Sequence, residues 1–205
     1  MFLAAIMGEI SNSLKRFNFF RDEAGKEVSA IQCSNTDREK LSIAYLGLAF
    51  EAHEDIGNLI ERKRYGSAFK LVRSLFEALY DGLWTYALAD DVLVSSLLTN
   101  MKAELPGNER ERAHQVDSVY RSAGTGDFFH DFYDRTWKFM CSYAHNGPLA
   151  INRVLAGYDD ASIQEVLRTT TTMILLFADA WYWLHVKSRS KSLVGLLNTY
   201  FAEKW

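Results

Sequence analysis

The chain has 205 residues, 48% of them hydrophobic and 14% aromatic, enough to bury a full core within one domain. A net charge of −3 and a pI near 6.0 exclude a global attraction to nucleic acid or anionic lipid, leaving only a local basic patch open. Two cysteines, Cys33 and Cys141, far apart and without CxxC spacing, exclude a disulfide framework and carry no zinc signature, so a reduced, cytoplasmic protein is expected.

The first seven residues are apolar, but the run is short, lacks basic residues and soon meets Glu9, so no signal peptide is expected. The apolar run from Met173 to Val186 is too short to cross a bilayer and contains Asp179. No membrane association is therefore expected. Two prolines and few alternating strand patterns predict an all-α, single-domain helical bundle over 1–205, its core at about 36–190. A helix at 1–20 and a C-terminal segment at 191–205 would pack on that core.

Taken in order, a loop follows the first helix from Arg21 to Asn35. Thr36-Asp37-Arg38-Glu39 is a capping-box pattern that starts a helix running to about Arg62. Its expected apolar face is Leu41, Tyr45, Leu48, Ala52, Ile56 and Leu59. Asp55 projects within that face, where a carboxylate needs a partner or a raised pKa. After the break at Tyr65-Gly66-Ser67, a helix over 67–89 presents Phe69, Val72, Phe76, Leu79, Tyr80, Leu83 and Ala87 to the core, with Arg73 and Glu77 at the margin. Asp90 opens a helix to about Leu105, and Pro106-Gly107 ends it. A largely exposed helix follows, from Glu109 to about Ser122, then a loop at Gly124-Thr125-Gly126.

The stretch from Asp127 to Asn146 reads as a helix with Phe128, Phe132, Thr136, Phe139 and Tyr143 on its core side. Along one edge, Arg135, Lys138, Ser142 and His145 form a polar stripe that runs into Asn146-Gly147-Pro148, where the helix must stop. A short helix to Leu155 carries Arg153. A long helix over 161–187 keeps Ile163, Val166, Leu167, Thr170, Ile174, Phe177, Trp181 and Leu184 at helical spacing, and a segment from Leu193 to Phe201 closes the chain.

Metal and cofactor motifs are weak. Glu111-x-x-His114 and Asp127-x-x-His130 have or approach the spacing of helical di-iron proteins, but Glu111 lies in a charged run and His130 points away from the aromatic face. There is no HExxH, EF-hand, phosphate loop or nucleophile elbow, so neither a metal nor a cofactor is expected. The Arg135/Lys138/Ser142/His145 stripe offers a cation pair beside a histidine, which could hold a phosphate and move a proton. The plainer alternative has His145 capping the helix end and Arg135 paired with Asp131. Arg73–Glu77 is an i, i+4 pair suited to bridging helices, with Asp55 within its expected reach.

The segment from Tyr65 to Trp84, with Ser142-Tyr143-Ala144-His145-Asn146-Gly147-Pro148 and Asn152-Arg153, resembles a group of uncharacterised bacterial helical proteins. That group pairs an A-x-x-L-x-R-x-L-x-E-A helix with a later Y-x-H-x-G helix end and a following arginine. The resemblance covers roughly residues 40–190, implies no activity, and marks Arg73, Glu77, His145 and Arg153 as site candidates. A more distant resemblance is to HEPN domains, helical bundles that often dimerise and, in toxins and defence systems, cleave RNA. Their arginine lies four to six residues before the histidine; here Arg135-Thr136 precedes His145 by ten. Two functions are expected, the first leading and the second, a non-catalytic one, its alternative. One is a HEPN-like toxin or phage-defence component acting on RNA through Arg73, Glu77, Arg135, His145 and Arg153. The other is a homodimeric interaction or regulatory module in which those residues brace helices against each other or a partner protein.

Overall fold

The computed structural model describes residues 2–100, 102–121 and 128–202, which form nine helices and no strand. They are α1 (Phe2–Ser29), α2 (Asp37–Glu61), α3 (Tyr65–Leu88), α4 (Asp91–Thr99), α5 (Glu109–Tyr120), α6 (Phe128–Ala144), α7 (Pro148–Ala156), α8 (Asp160–Val186) and α9 (Lys191–Ala202). No helix among the described residues is long and apolar enough to cross a membrane. The expected turn at Gly124–Gly126, Asp127 of the second metal-like motif and residues 203–205 lie outside the described residues.

Helix α3 is the axis of the bundle: α2, α5, α6 and α8 all pack on it. Its apolar positions recur at three- and four-residue spacing, so Phe69, Val72, Phe76, Leu79, Tyr80 and Leu83 are all buried. Aromatic edges and faces interlock there: Phe76 stacks on Tyr80 at 4.1 Å, and Tyr80 meets Phe177 of α8 at 4.9 Å. Helix α8 buries the eight residues expected of it, from Ile163 to Leu184.

Two helices turn a different face inward. In α2 the buried positions are Glu39, Ser42, Leu46, Ala49, His53, Ile56, Gly57 and Ile60. At roughly 100° per residue, that face is rotated by about 90° from the one the aliphatic residues suggest. The cause is close packing on α3, where Ser42 and Leu46 meet Ala78 and Gly82, and on α1. His53 stacks on Phe17 at 3.8 Å, and a Cβ on Gly57 would stand 2.8 Å from the same ring. Leu48 is left 57% exposed. Asp55, on the side opposite the buried face, is exposed and makes no hydrogen bond or ion pair among the described residues. The expectation of a half-buried, partnered Asp55 is corrected accordingly.

Helix α1 also runs past its expected end, through Gly25, because Phe20 and Ala24 continue its buried face. Helix α4 stops at Thr99, short of Leu105. Helix α5 is less exposed than its charges suggest: Arg112 is buried, donating from Nε to Asp81 at 3.0 Å and from Nη1 to the carbonyl of Gly107 at 3.2 Å. Burial drives the Asp81 carboxyl up to about 6, although Arg112 pulls the other way.

Candidate functional site

The site builds outward from α6. Its first turn is capped by a residue of another helix: the buried Asp117 of α5 accepts from the backbone N–H groups of Phe129 (2.8 Å) and His130 (2.6 Å). Tyr80 donates to the carbonyl of Phe129. At its other end α6 closes in a Schellman motif. Asn146 adopts a left-handed φ of 54°, Gly147 N–H reaches back to the Ser142 carbonyl at 2.6 Å, and Asn146 N–H points to Tyr143. Pro148 then starts α7. Ser142 belongs to this junction, its hydroxyl accepting from Leu149 N–H at 3.1 Å.

The buried residues of α6 are Phe129, Tyr133, Met140 and Tyr143, a face rotated by about 60° from the expected one at roughly 100° per residue. That rotation splits the predicted stripe. Trp137, Cys141 and His145, four residues apart, line the flank facing α3, whereas Arg135 falls on the other flank. Arg135 there lines a groove with Phe128, Thr136, Glu165 and Arg168, and its Nε donates to its own helix at the Asp131 carbonyl, not to the Asp131 carboxylate. Lys138 is exposed and makes no hydrogen bond or ion pair among the described residues. Arg153 donates to Asp159 at 2.5 Å, a carboxylate held down at about 2 chiefly by hydrogen bonds from Ser162. Arg135, Lys138, Arg153 and Asp55 therefore do not join the cluster around His145.

Arg73 and Glu77 do. The Arg73 guanidinium donates from Nε to Glu77 at 2.7 Å and from Nη1 to the Cys141 sulfur at 3.8 Å and to His145 Nε2. Its carbon sits 4.7 Å from the centre of the Trp137 ring, a cation–π arrangement, and Trp137 in turn stacks on Tyr133. Burial pulls the guanidinium down, but Glu77, with smaller help from Cys141 and Glu109, outweighs it and leaves the Arg73 pKa raised. The Cys141 thiol is pushed up by burial despite Arg73, so it rests protonated rather than as a nucleophilic thiolate.

This geometry limits the chemistry. A guanidinium can only donate, so His145 Nε2 must accept, which fixes the neutral imidazole with its proton on Nδ1. The lone pair a general base would use is occupied by Arg73. The positive charge a phosphate would seek is already matched by Glu77. As arranged, the cluster is a brace that ties the end of α6 to the middle of α3.

His114 and His130 approach each other, ring centres 4.4 Å apart, but the neighbouring Asp134 is engaged by both Arg110 donors at 2.9 Å. The residues that sequence reasoning passed over are Asp117, Trp137 and a Cys33/Glu39/His185 group at the far end of the bundle. Trp137 was recoverable from its four-residue offset to Cys141; the others have no local spacing signal.

Fold and site together define an all-helical bundle with an arginine-centred polar brace between its third and sixth helices. Residues 46–204 match the model of a family of unknown function, DUF6988, and the chain belongs to that family. No curated protein and no solved structure matches it.

Proposed function

We propose that this chain is a cytoplasmic, non-catalytic interaction module that forms a homodimer through α7. The observation that carries this reading is the surface of α7. Leu149, Ile151, Val154 and Leu155 are 47%, 53%, 70% and 79% exposed, on a short helix that packs mainly on α6. Ile151, Val154 and Leu155 share one side of the helix, and clustered exposed aliphatic surface of this kind marks a binding site. Ile151, Val154 and Leu155 themselves form one wall of a groove of about 530 Å³ that is also lined by Tyr65, Tyr143 and Tyr158 and by Lys63, Arg64 and Lys70. The only charge on α7, Arg153, is already paired with Asp159. A second α7 is thus an apolar helix suited to the groove, in the manner of helix-in-groove recognition made self-complementary by a two-fold axis. The neutral, occupied His145 and the Glu77-matched Arg73 support a bracing role for the polar cluster.

Sedimentation equilibrium tests this. The wild type is expected to be dimeric at micromolar concentration, with a melting temperature that rises with concentration. Val154→Asp with Leu155→Asp should be monomeric, still helical by circular dichroism, and should melt lower and independently of concentration. A monomeric wild type at high micromolar concentration overturns the reading.

A second reading, a bacterial HEPN-like toxin or defence component acting on RNA, draws support from one observation: His145 is exposed at the bundle edge and touches an arginine. It requires His145 to leave Arg73 before accepting a proton. Expression of wild type and His145→Ala, with growth and bulk RNA integrity measured, decides it. Equal growth with intact RNA in both eliminates this reading.

A further inference from the structure

At the opposite end of α2 from the α7 groove, three side chains from distant parts of the sequence converge. Cys33 lies in the segment before α2, Glu39 in the first turn of α2, and His185 in the last turn of α8. One ligand atom from each, the Cys33 sulfur, a Glu39 carboxylate oxygen and an imidazole nitrogen of His185, lie within 4.8 Å of one another. We infer that Cys33, Glu39 and His185 bind a divalent cation of the zinc class.

The hydrogen bonding around the three residues carries this. His185 Nδ1 donates to the Trp181 carbonyl at 2.9 Å, which fixes the tautomer and leaves Nε2 as a lone pair. That Nε2 is buried and has no hydrogen-bond partner. An imidazole whose far nitrogen is held by a main-chain carbonyl is the orientation metal-binding histidines adopt. The ring is further fixed by Tyr86, stacked at 4.2 Å, and Trp181 at 4.4 Å. Glu39 is 6% exposed and its carboxylate is oriented by Ser34, by the Thr36 backbone and by the Thr36 hydroxyl, at 3.1 to 3.2 Å. Cys33 makes only a long contact to the Ile31 carbonyl, 3.9 Å.

A nucleophilic Cys–His–carboxylate relay is a poorer fit. There the carboxylate binds the nitrogen remote from the thiol, whereas here that nitrogen is committed to a backbone carbonyl. The Cys33 sulfur, a Glu39 carboxylate oxygen and a His185 ring nitrogen instead converge on one point, where a divalent cation would bind as the Cys33 thiol gives up its proton. One sulfur, one nitrogen and one oxygen suit tetrahedral zinc with its fourth position left to water or an exchangeable ligand. A cavity of about 590 Å³, lined by Thr36, Arg38, Glu39, Tyr86 and Asp91, lies alongside and gives that position room.

The full chain, stripped with chelator, is titrated with zinc and separately with cobalt(II). Expected are stoichiometric zinc uptake, a raised melting temperature and a thiolate-to-cobalt charge-transfer band. Cys33→Ser should abolish the band and weaken zinc binding at least about tenfold, the lower end of what losing even an outer-shell partner costs. Cys141→Ser should leave both intact. Absence of zinc uptake by the wild type, a cobalt spectrum without the thiolate band, or wild-type zinc affinity in Cys33→Ser overturns the inference. The wild-type spectrum decides the matter even where Cys33→Ser does not fold.

Discussion

Asp117→Asn isolates the device that holds the start of α6. The wild-type carboxylate accepts from two backbone donors, Phe129 N–H at 2.8 Å and His130 N–H at 2.6 Å, inside the core. Bonds to a charged acceptor contribute about 1.5–3 kcal/mol each. Asparagine has nearly the same shape but one acceptor oxygen, so it keeps one of these bonds in weaker, neutral form. Its NH₂ then faces the other N–H, leaving a buried donor unmatched. The expected loss is about 2–4 kcal/mol, which for a chain of this length lowers the melting temperature by about 4–16 °C. Urea and thermal unfolding followed by far-UV circular dichroism measure it. Asp131→Asn is the control: this residue is exposed in the same first turn and contributes only through the helix dipole, about 0.3–1 kcal/mol. The reasoning fails if Asp117→Asn lies within about 1 kcal/mol of wild type, or if the two variants lose the same amount.

Replacing His53 by Leu should stabilise the protein by about 1–2 kcal/mol, because both ring nitrogens are buried without partners. Burial holds the His53 pKa well below 6.5, so its neutral form contributes stability above pH 6.5 that is lost as pH falls; His53→Leu should flatten that acid limb in unfolding curves, and an unchanged limb argues against it. Asp81 has the opposite sign. Its folded pKa of about 6 lies above the ordinary 3.8, so its contribution is fully present below 3.8 and falls by about 3 kcal/mol as pH rises through 6. A carboxyl NMR titration of Asp81 should inflect near 6, and an inflection near 4 refutes the burial argument. Gly147→Ala places a methyl 2.8 Å from the Ser142 hydroxyl and 3.0 Å from its Cα; a loss of about 1–3 kcal/mol is expected by chemical denaturation, and a neutral result shows that the α6–α7 junction yields.

Where the sequence could be read correctly, burial and hydrophobicity coincide. The buried stripes of α3 and α8 are mostly apolar, with only Thr85 on the first and Thr170, Thr171 and Asp179 on the second as polar members, so spacing orients them. Helix α2 defeats that reading because Ser42, Ala49, His53 and Gly57 occupy its buried face, while aliphatic Leu48 and Ile43 face outward. Small residues allow α1 and α3 to approach, and closeness of approach is not a property of one helix's periodicity. Helix α6 carries aromatics on more than half its circumference, so the choice among them falls to α3 and to Asp117. The Arg73–Glu77 pair and the helix end at His145 were both visible as local patterns. That they meet follows from the antiparallel packing of α3 and α6, which no local spacing encodes. The same rotation explains why Arg135, in register with His145 on paper, ends on the far flank. Cys33, Glu39 and His185 are separated by up to 152 positions and could be joined only by the fold.

Three of the helix ends described here turn on non-glycine residues in the left-handed region: Lys63 at φ 58°, Asn146 at 54° and Lys187 at 56°. Such a conformation costs an ordinary side chain about 1–2 kcal/mol. Local backbone hydrogen bonds hold both lysine turns: after α2, Lys63 N–H reaches the Ile60 carbonyl and Arg64 N–H that of Leu59, and after α8, Lys187 N–H reaches that of Trp183. The corners thus exchange side-chain strain for satisfied helix-end carbonyls, which is the usual reason a chain accepts the left-handed region at such a point. Each lysine there marks a position where side-chain preference has yielded to the hydrogen bonding of a helix end.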